Sequence, residues 1–529
     1  MLVEFYNQYW PYFGFLSGFS FIFMLNSGKK DDKSIYEFWA VLFVSGLLML
    51  GIWFVLLVMN KHPDNFAIVK FVFFFIVGGG GGFLLLRKAP VITEQIHQNY
   101  TKTTAAERNK KTDVREISKH YPVIKNGFEP EQYFRSDKQV FIGLDESDRP
   151  IVISDEVMPH IQIAGTTGYG KGVIMAVMGA QWIRNGEAVF CIDPKDDEWG
   201  PHSFAEAAKN ANKKHYFINA REKVPQFAIF KGADADEIEE LFIAGFGLND
   251  TGSASDFYSI DDRKYAGIIA RQIYAEQITP AQAYSQNSEV LEKNAPKFSG
   301  KLRELGEVTA ANADPQCSFD FKEIIENGGS CYIIGHMRIE KIIRLQKMLL
   351  VRLMQIAEKR DRINKKLRPV GIILDEAKYH LSKCALEALG AARDKGIHLV
   401  IAHQSLSDLQ DVGRDLNGDS VVGAVVENCK IKICYRVMNP LTAEWLARMS
   451  GSILVDDEVR TVEKNIALSE KMASERSIRQ AERYFIDENM MLNLPKTVAV
   501  VYGLGLAKFA HITNMTVEKN AGNVKISSV

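Results

Sequence analysis

The stretch from Ile161 to Met175 constrains the fold of this chain more than any other. A short strand pattern ends at Ala164, a glycine-rich run follows, and a helical pattern begins near Lys171. The run from Gly165 to Lys171 fits the first seven positions of the phosphate-binding pattern G-x-x-x-x-G-K-[ST]. Glycines let successive backbone N–H groups converge on phosphate oxygens, and the following helix points its positive end at the same anion. The stretch therefore predicts a nucleotide site between a buried strand and a helix.

The residues predicted to bind the nucleotide are consecutive in this loop: Gly165, Thr166, Thr167, Gly168, Tyr169, Gly170, Lys171 and Gly172. Lys171 is expected to reach the β- and γ-phosphates. The eighth position departs from the pattern, because Gly172 stands where a Ser or Thr hydroxyl normally binds Mg²⁺. For this loop taken alone, a chance glycine turn is the alternative interpretation.

A second motif follows a later apolar strand. The residues from Val370 to Leu374 are apolar and lead directly into Asp375 and Glu376. In a nucleotide site this arrangement makes Asp375 the metal ligand and turns Glu376 toward the attacking water as a general base. The two motifs in this order predict an ATPase that uses ATP and Mg²⁺.

Polar residues also follow two other predicted strands. Asp193 and Lys195 come after a buried-type strand, where they face either the nucleotide or a subunit interface, or form an ordinary turn. Gln404 follows the strand that ends at Ala402 and is placed to contact the γ-phosphate. A plain polar strand end is the alternative for Gln404.

Two arginines are candidates for an arginine finger that enters a neighbouring subunit's site. Arg393 lies near the end of a predicted helix, and Arg436 ends a later strand. A surface arginine near a helix end is the alternative for Arg393. The predicted catalytic residues are Lys171, Glu376, Gln404 and Arg393, with Asp375 as the metal ligand.

Three apolar stretches, at about 9–25, 38–59 and 69–86, predict a transmembrane anchor over residues 1–90. The third contains five consecutive glycines, Gly78 to Gly82, and a re-entrant segment is its alternative. The second loop carries Lys61 and, at its edge, Lys70. Three spans with the N-terminus outside would place the other two groups of positive charges in the cytoplasm. These charges are Lys29, Lys30, Lys33, Arg87 and Lys88.

Composition excludes several classes of protein. The 64 Lys and Arg residues balance 65 Asp and Glu residues, so any contact with DNA must be local. None of the six cysteines forms a CxxC pair, which argues against a zinc site and a disulfide framework.

The order of patterns predicts a domain organisation. Strand signals stop between about 233 and 312, where a helical pattern broken at Pro280 and Pro296 predicts an all-α insertion. The predicted parts after the anchor are a juxtamembrane linker at 91–134, the nucleotide-binding domain at 135–232 and 313–515 around the 233–312 insertion, and a polar tail at 516–529.

These pieces resemble the type IV coupling proteins, the TraG/TraD-type ATPases of conjugation and type IV secretion. The stretches that carry the resemblance are 160–171, 192–196, 374–377, 392–396 and 402–406. The resemblance implies an α/β fold, with a RecA-like P-loop NTPase domain, an inserted all-α domain and N-terminal transmembrane helices. It further implies a homo-hexamer at the bacterial inner membrane, with the motor in the cytoplasm. Its partners would be DNA, a relaxase or an effector protein, and the components of a type IV secretion channel.

Two other functions stay open from the sequence. Gly172 motivates a membrane-anchored receptor that binds nucleotide but hydrolyses it weakly. The N-terminal anchor also permits a related DNA-translocating ring ATPase.

Overall fold

The structure, a computed structural model, describes residues 2–28, 33–59, 67–100, 114–115, 117–122, 127–135, 139–154, 158–249, 260–361, 363, 366–413, 416–464 and 470–525. Lys29 and Lys30, much of the predicted linker and the end of the predicted tail lie outside these residues. The chain divides into two compact units: residues 1–110 with 454–483, and residues 111–453 with 484–529.

Sixteen helices and thirteen strands are formed within the described residues. The helices are α1 (Leu2–Gly28), α2 (Lys33–Val58), α3 (Ala67–Tyr100), α4 (Lys171–Arg184), α5 (Gly200–Asn210), α6 (Ala235–Phe246), α7 (Ile260–Glu276), α8 (Pro280–Asn294), α9 (Pro296–Gly306), α10 (Phe321–Asn327), α11 (Glu340–Glu358), α12 (Lys383–Ala392), α13 (Leu406–Gln410), α14 (Gly418–Asn428), α15 (Pro440–Met449) and α16 (Glu488–Leu492). The strands are β1 (Val140–Leu144), β2 (Pro150–Ile153), β3 (Ile161–Ala164), β4 (Ala188–Asp193), β5 (His215–Asn219), β6 (Gly329–Ile334), β7 (Val370–Leu374), β8 (Ile397–His403), β9 (Ile431–Cys434), β10 (Ser452–Lys464), β11 (Glu470–Tyr484), β12 (Val498–Tyr502) and β13 (Lys508–His511).

The first unit contains three apolar helices. The segments Glu37–Val55 in α2 and Val69–Lys88 in α3 are long and apolar enough to cross a membrane. The apolar part of α1, Pro11–Leu25, is shorter, so among the described helices two rather than the expected three reach that length.

Glycines bring α1 and α3 close together. A Cβ at Gly14 would lie 2.9 Å from the carbonyl oxygen of Phe71, and one at Gly18 would collide with the backbone of Phe75. Gly78 of α3 faces the backbone of Phe15 in the same way. Small residues permit this kind of close backbone packing between apolar helices. Gly78 of the glycine run therefore serves helix packing.

The second unit is built on one sheet of eleven strands, in the order β2-β1-β13-β12-β9-β3-β8-β7-β4-β6-β5. The seven neighbouring strands from β9 to β5 run parallel. The other four form an antiparallel extension beyond β9. The carboxyl ends of the parallel strands meet at one edge, where ligands bind in open α/β sheets.

Alternate residues of the central strands are buried on opposite faces of the sheet. In β4, Val189 and Cys191 belong to the same apolar core as Phe204 of α5. Phe190 and Ile192 face the other core, to which α6, α9 and α11 contribute. Helices therefore cover both faces, as expected for a parallel sheet with near-continuous apolar strands.

The region of the predicted insertion contains α6, α7, α8 and α9. Pro280 and Pro296, which break the helical pattern in the sequence, stand at the first positions of α8 and α9. These helices share one apolar core with the sheet. The boundaries at 233 and 312 thus remain predictions, because the contacts do not separate this region as a unit of its own.

Four strands have no counterpart in the sequence prediction. They are β5, β10, β11 and β13. The pair β10 and β11 forms a separate two-stranded sheet. After β13 the chain continues through 513–525 along the surface of the second unit, where Glu518 N–H bonds Glu206 of α5.

Candidate nucleotide-binding site

The glycine-rich loop connects β3 to α4 at the carboxyl edge of the sheet. Gly165 and Gly170 have φ values of +147° and +120°, which side chains rarely adopt. A Cβ at Gly165 would lie 2.7 Å from Cβ of Tyr435, and one at Gly170 would lie 2.8 Å from the ring of the same residue. Both positions require glycine for conformation and for space. The loop is therefore held against the residue that follows β9.

Lys171 starts α4 and is buried. Its Nζ donates a hydrogen bond to the carbonyl oxygen of Gly165, so the side chain folds back over its own loop. Burial and the nearby ammonium of Lys195 lower the pKa of Lys171 below its ordinary value. This ammonium is poorly hydrated, which favours exchange of its carbonyl partner for a phosphate oxygen.

Asp375 and Glu376 follow β7 at the same edge and are both buried. The Asp375 N–H donates to the carbonyl of Ile192 at 3.2 Å, which links the ends of β7 and β4. Glu376 has a left-handed backbone with φ of 49°, and its N–H donates to Oδ1 of Asp375 at 3.0 Å. Such strain in a non-glycine residue is typical of functional sites.

Lys195 forms ion pairs with both carboxylates. Its Nζ lies 3.3 Å from Oδ2 of Asp375 and contacts Oε1 of Glu376. Burial raises the pKa of Asp375 to about 6, although Lys195 acts in the opposite direction. Burial also acts to raise the pKa of Glu376, but the charge and hydrogen bond of Lys195, the hydrogen bond of Gln404 and the charge of Lys171 together lower that pKa overall. The two neighbouring carboxylates thus differ in acidity, with Asp375 the weaker acid and Glu376 the stronger.

Gln404 lies just beyond β8, the strand between β3 and β7. Its Nε2 donates to Oε1 of Glu376 at 3.0 Å. The structure therefore brings together Lys171, Asp375, Glu376 and Gln404, which the sequence predicts as one site.

A cavity of about 590 Å³ adjoins the loop. Its wall includes Lys171, Gly172, Lys195 and Asp375. A Cβ at Gly172 would meet nothing within 4 Å, so the missing hydroxyl at this position leaves open space. The described residues contain no group of three or more His, Cys, Asp or Glu side chains able to hold a metal. A cation here would rest on Asp375 together with non-protein oxygens.

The opposite wall of the cavity comes from the end of the chain, which the sequence prediction missed. Thr497, Asn514, Met515 and Val517 line it. The Thr497 N–H donates to the carbonyl of Tyr169 at 2.9 Å and ties this wall to the loop. No motif marks these positions, because their role depends on where the strands β12 and β13 place them.

The two candidate finger arginines have different locations. Arg393 is exposed and precedes the amino end of β8 by four residues, whereas β3 reaches the loop beside the carboxyl end of β8. The seven residues of β8 separate these edges by about 20 Å. Arg436 instead adjoins its own loop: its Nη1 donates to the Tyr169 hydroxyl at 2.9 Å, and its carbonyl accepts from Thr166 at 2.8 Å.

Part of the chain matches a known protein family. The model described as the TraM recognition site of TraD and TraG matches residues 369–496. This range contains Asp375, Glu376 and Gln404 as well as the two-stranded sheet. Mobilization protein A of Escherichia coli is 32% identical to this chain over 325 residues. The match covers 61% of this chain and 60% of that protein's length.

Two solved structures share the fold. The bacterial conjugative coupling protein TrwBdeltaN70, in an unbound monoclinic form, is 16% identical, with 76% of this chain and 93% of that chain covered and a TM-score of 0.53. The plasmid coupling protein TrwB in complex with the non-hydrolysable ATP analogue ADPNP is also 16% identical, with 77% and 96% covered and a TM-score of 0.50. These likenesses confirm the predicted α/β, RecA-like fold. The family model and the relative therefore show that this chain is similar to the type IV coupling proteins, the family that its sequence motifs resemble.

Proposed function

We propose that this protein is an inner-membrane ATPase motor that couples a DNA–relaxase complex or a protein effector to a type IV secretion channel. The observation that supports this most is the convergence of Lys171, Asp375, Glu376 and Gln404 beside one cavity. Three separate strands, β3, β7 and β8, deliver these groups and the glycine loop to one edge of the sheet. That arrangement suits the positioning and charge stabilisation on which phosphoryl transfer depends.

The residues of the site fit an ATP molecule with Mg²⁺. The buried carboxylate of Asp375 would hold the metal, with phosphate oxygens and waters completing its coordination, since Mg²⁺ keeps several waters readily. Bound Mg²⁺ would neutralise charge on the phosphates. A related fold has been solved with ADPNP, which supports nucleotide in this loop.

The chain's own residues then divide the work. Glu376, kept ionised by its neighbours, would accept the proton of the attacking water. Gln404 would orient that carboxylate through its 3.0 Å hydrogen bond and change partners as the γ-phosphate leaves. Lys171 would exchange the Gly165 carbonyl for a phosphate oxygen.

Assembly and anchoring belong to the same proposal. The apolar segments of α2 and α3 would span the inner membrane, and α1 would pack against them through its glycines. The position of Arg393, far along the sheet from the loop of its own chain, suits a finger offered to a neighbouring subunit in a hexameric ring. The match to the TraM recognition model supports a relaxosome partner.

The test is DNA-stimulated ATP hydrolysis by the detergent-solubilised chain, followed by a mating assay. Lys171→Ala should lower turnover roughly 10²–10³-fold, the usual cost of removing one preorganised charge contact, and should abolish transfer. Lys322→Ala, a change in an exposed i,i+4 pair on α10, is the matched control. Wild-type turnover that Lys171→Ala leaves intact would refute the motor.

A second candidate function is a nucleotide-dependent receptor with weak hydrolysis. The open space at Gly172, where a metal-binding hydroxyl normally stands, favours it. This receptor would bind ATP tightly and turn over slowly even with DNA present.

A further inference from the structure

We propose that Lys195 is a positioning residue that competes with Mg²⁺ for Asp375 and gives up its ion pair when the metal binds with nucleotide. This inference rests on the proposed nucleotide-binding function. It assigns to Lys195 a role that neither motif contains, since Lys195 belongs to the turn after β4.

Lys195 is paired with two buried carboxylates. Its Nζ lies 3.3 Å from Oδ2 of Asp375 and contacts Oε1 of Glu376. The Glu376 side chain is only 2% exposed. Two adjacent buried carboxylates are costly unless a cation compensates them. Lys195 therefore holds the place where a divalent cation would have to bind Asp375.

The turn after β4 fixes the point from which Lys195 reaches the site. Asp193 is buried and accepts three backbone N–H groups, those of Lys195 at 2.8 Å, Asp196 at 3.2 Å and Asp197 at 2.7 Å. It also accepts the hydroxyl of Tyr332 at 2.9 Å. The ladder between β4 and β7 sets Ile192 opposite Leu374, so the two turns lie side by side. The location of Lys195 is thus built into the sheet and does not arise from a chance surface contact.

The end of the side chain reaches the cavity, whereas its base is fixed in the turn. Lys195 lines the cavity, and its side chain is 26% exposed. A four-carbon stem with a compact ammonium exchanges partners readily. Glu376 keeps the hydrogen bond from Gln404 when Lys195 leaves.

Gly172 makes the competition stronger. Without a hydroxyl at this position, Asp375 is the protein ligand on which Mg²⁺ chiefly depends. The Lys195 ammonium that is paired with Asp375 therefore directly lowers the affinity of the site for Mg²⁺. Removal of the positive charge should tighten metal binding, whereas a purely structural lysine would loosen the site on removal.

The experiment measures Mn²⁺ binding by electron paramagnetic resonance on the full chain in detergent, with saturating ADPNP. Lys195→Met should bind Mn²⁺ about tenfold more tightly than wild type, which is the effect of about 1.4 kcal/mol of lost charge competition. Lys195→Arg should bind it several-fold more weakly, because the guanidinium fork holds both carboxylates at once. Lys209→Met, an exposed change on α5, should match wild type.

The outcomes separate this inference from the proposed function. If wild type does not bind ADPNP, the proposed function fails. If it binds ADPNP but Lys195→Met leaves Mn²⁺ affinity unchanged or lowers it, only the inference is overturned. Should Lys195→Met not fold, as melting would reveal, Lys195→Arg decides: affinity equal to or above that of wild type overturns the inference.

Discussion

Gln404 donates a hydrogen bond of 3.0 Å from Nε2 to Oε1 of Glu376, the same oxygen that Lys195 contacts. One carboxylate oxygen thus receives a neutral donor and a cation from two different strand ends. This leaves the orientation of Glu376 dependent on Gln404 whenever Lys195 moves. Under the proposed function, the arrangement would link the state of the nucleotide to the position of Glu376 as general base.

Gln404→Ala should lower turnover roughly 10–100-fold, since a hydrogen bond to a charged group is worth about 1.5–3 kcal/mol. The KM for ATP should change little, because Lys171 and the loop still bind the phosphates. Steady-state hydrolysis measures kcat and KM. Gln286→Ala, a change at an exposed residue of α8, is the control. A rise in KM at constant kcat would assign Gln404 to binding instead.

Gly172→Ser should fit without strain, because a Cβ there meets nothing within 4 Å. The added hydroxyl supplies the missing Mg²⁺ ligand, so the Mg²⁺ concentration for half-maximal turnover should fall about tenfold. Gly172→Ala is the control, because it adds a carbon atom at the same position without the hydroxyl. A large gain in kcat would favour the weakly hydrolysing receptor as the wild-type state, whereas no gain would show that the native site already works.

Gly165→Ala should disable nucleotide binding, in contrast to Gly172→Ala in the same loop. Its φ of +147° is strained for alanine, and the new Cβ would lie 2.7 Å from that of Tyr435. Titration with a fluorescent ATP analogue compares the two variants. Equal affinities would mean that the loop adopts another conformation when it binds nucleotide.

Gly78→Leu should separate α1 from α3, because its side chain would meet the backbone of Phe15. The substitution should weaken the packing of α1 on α3 by about 1–3 kcal/mol, as other overpacked contacts do. Gly80→Leu is a matched control in the same glycine run, since a Cβ at Gly80 meets nothing within 4 Å. Cysteine cross-linking between the two helices in membranes measures the contact. Equal loss in both variants would point to helix formation as the cause.

Acidification from pH 7 to 5 should destabilise the folded chain. Burial lowers the pKa of His215, His380 and His403 to about 4 each, so below about pH 6.5 the unfolded chain binds protons that the folded chain does not. Each histidine contributes up to about 1.4 kcal/mol per pH unit between about pH 6.5 and 4. Burial raises the pKa of Asp375 to about 6, so between about pH 6 and 4 the folded chain binds a proton there that the unfolded chain does not. This stabilises the folded chain on acidification and offsets the effect of one of the three histidines.

Thermal melting of the detergent-solubilised chain at the two pH values measures this balance. A His380→Gln variant should lose less stability on acidification than wild type. A wild-type melting temperature that is equal or higher at pH 5 would contradict the prediction.

The nucleotide loop was predictable because its chemistry is local. Glycine at 165, 168 and 170, and lysine at 171, are required by backbone conformation and phosphate geometry within a few residues. The strand before Asp375 and the helix starts at Pro280 and Pro296 are also local signals, and the structure places elements there.

Other features depend on contacts between residues far apart in sequence. The strands β10 and β11 are themselves rich in charged residues, and β13 is only four residues long. The cavity wall at Met515 and Val517 exists because β12 and β13 return the chain to the loop. The sequence also treats Arg436 as a finger candidate, whereas its guanidinium contacts Tyr169 of its own loop.

The sequence by itself determined the family resemblance, the order of the motifs and the residues expected at the phosphates, because glycine conformation and strand patterns act over short distances. Only the tertiary structure decided that Lys195 bridges Asp375 and Glu376, that Gln404 bonds the same carboxylate and that Arg393 lies away from its own site. Those relationships follow from strand order: β8 lies between β3 and β7, and β4 lies next to β7. Apolar runs show that these strands are buried on both faces, but their order depends on how the connecting helices pack on the sheet, which involves residues far apart in sequence.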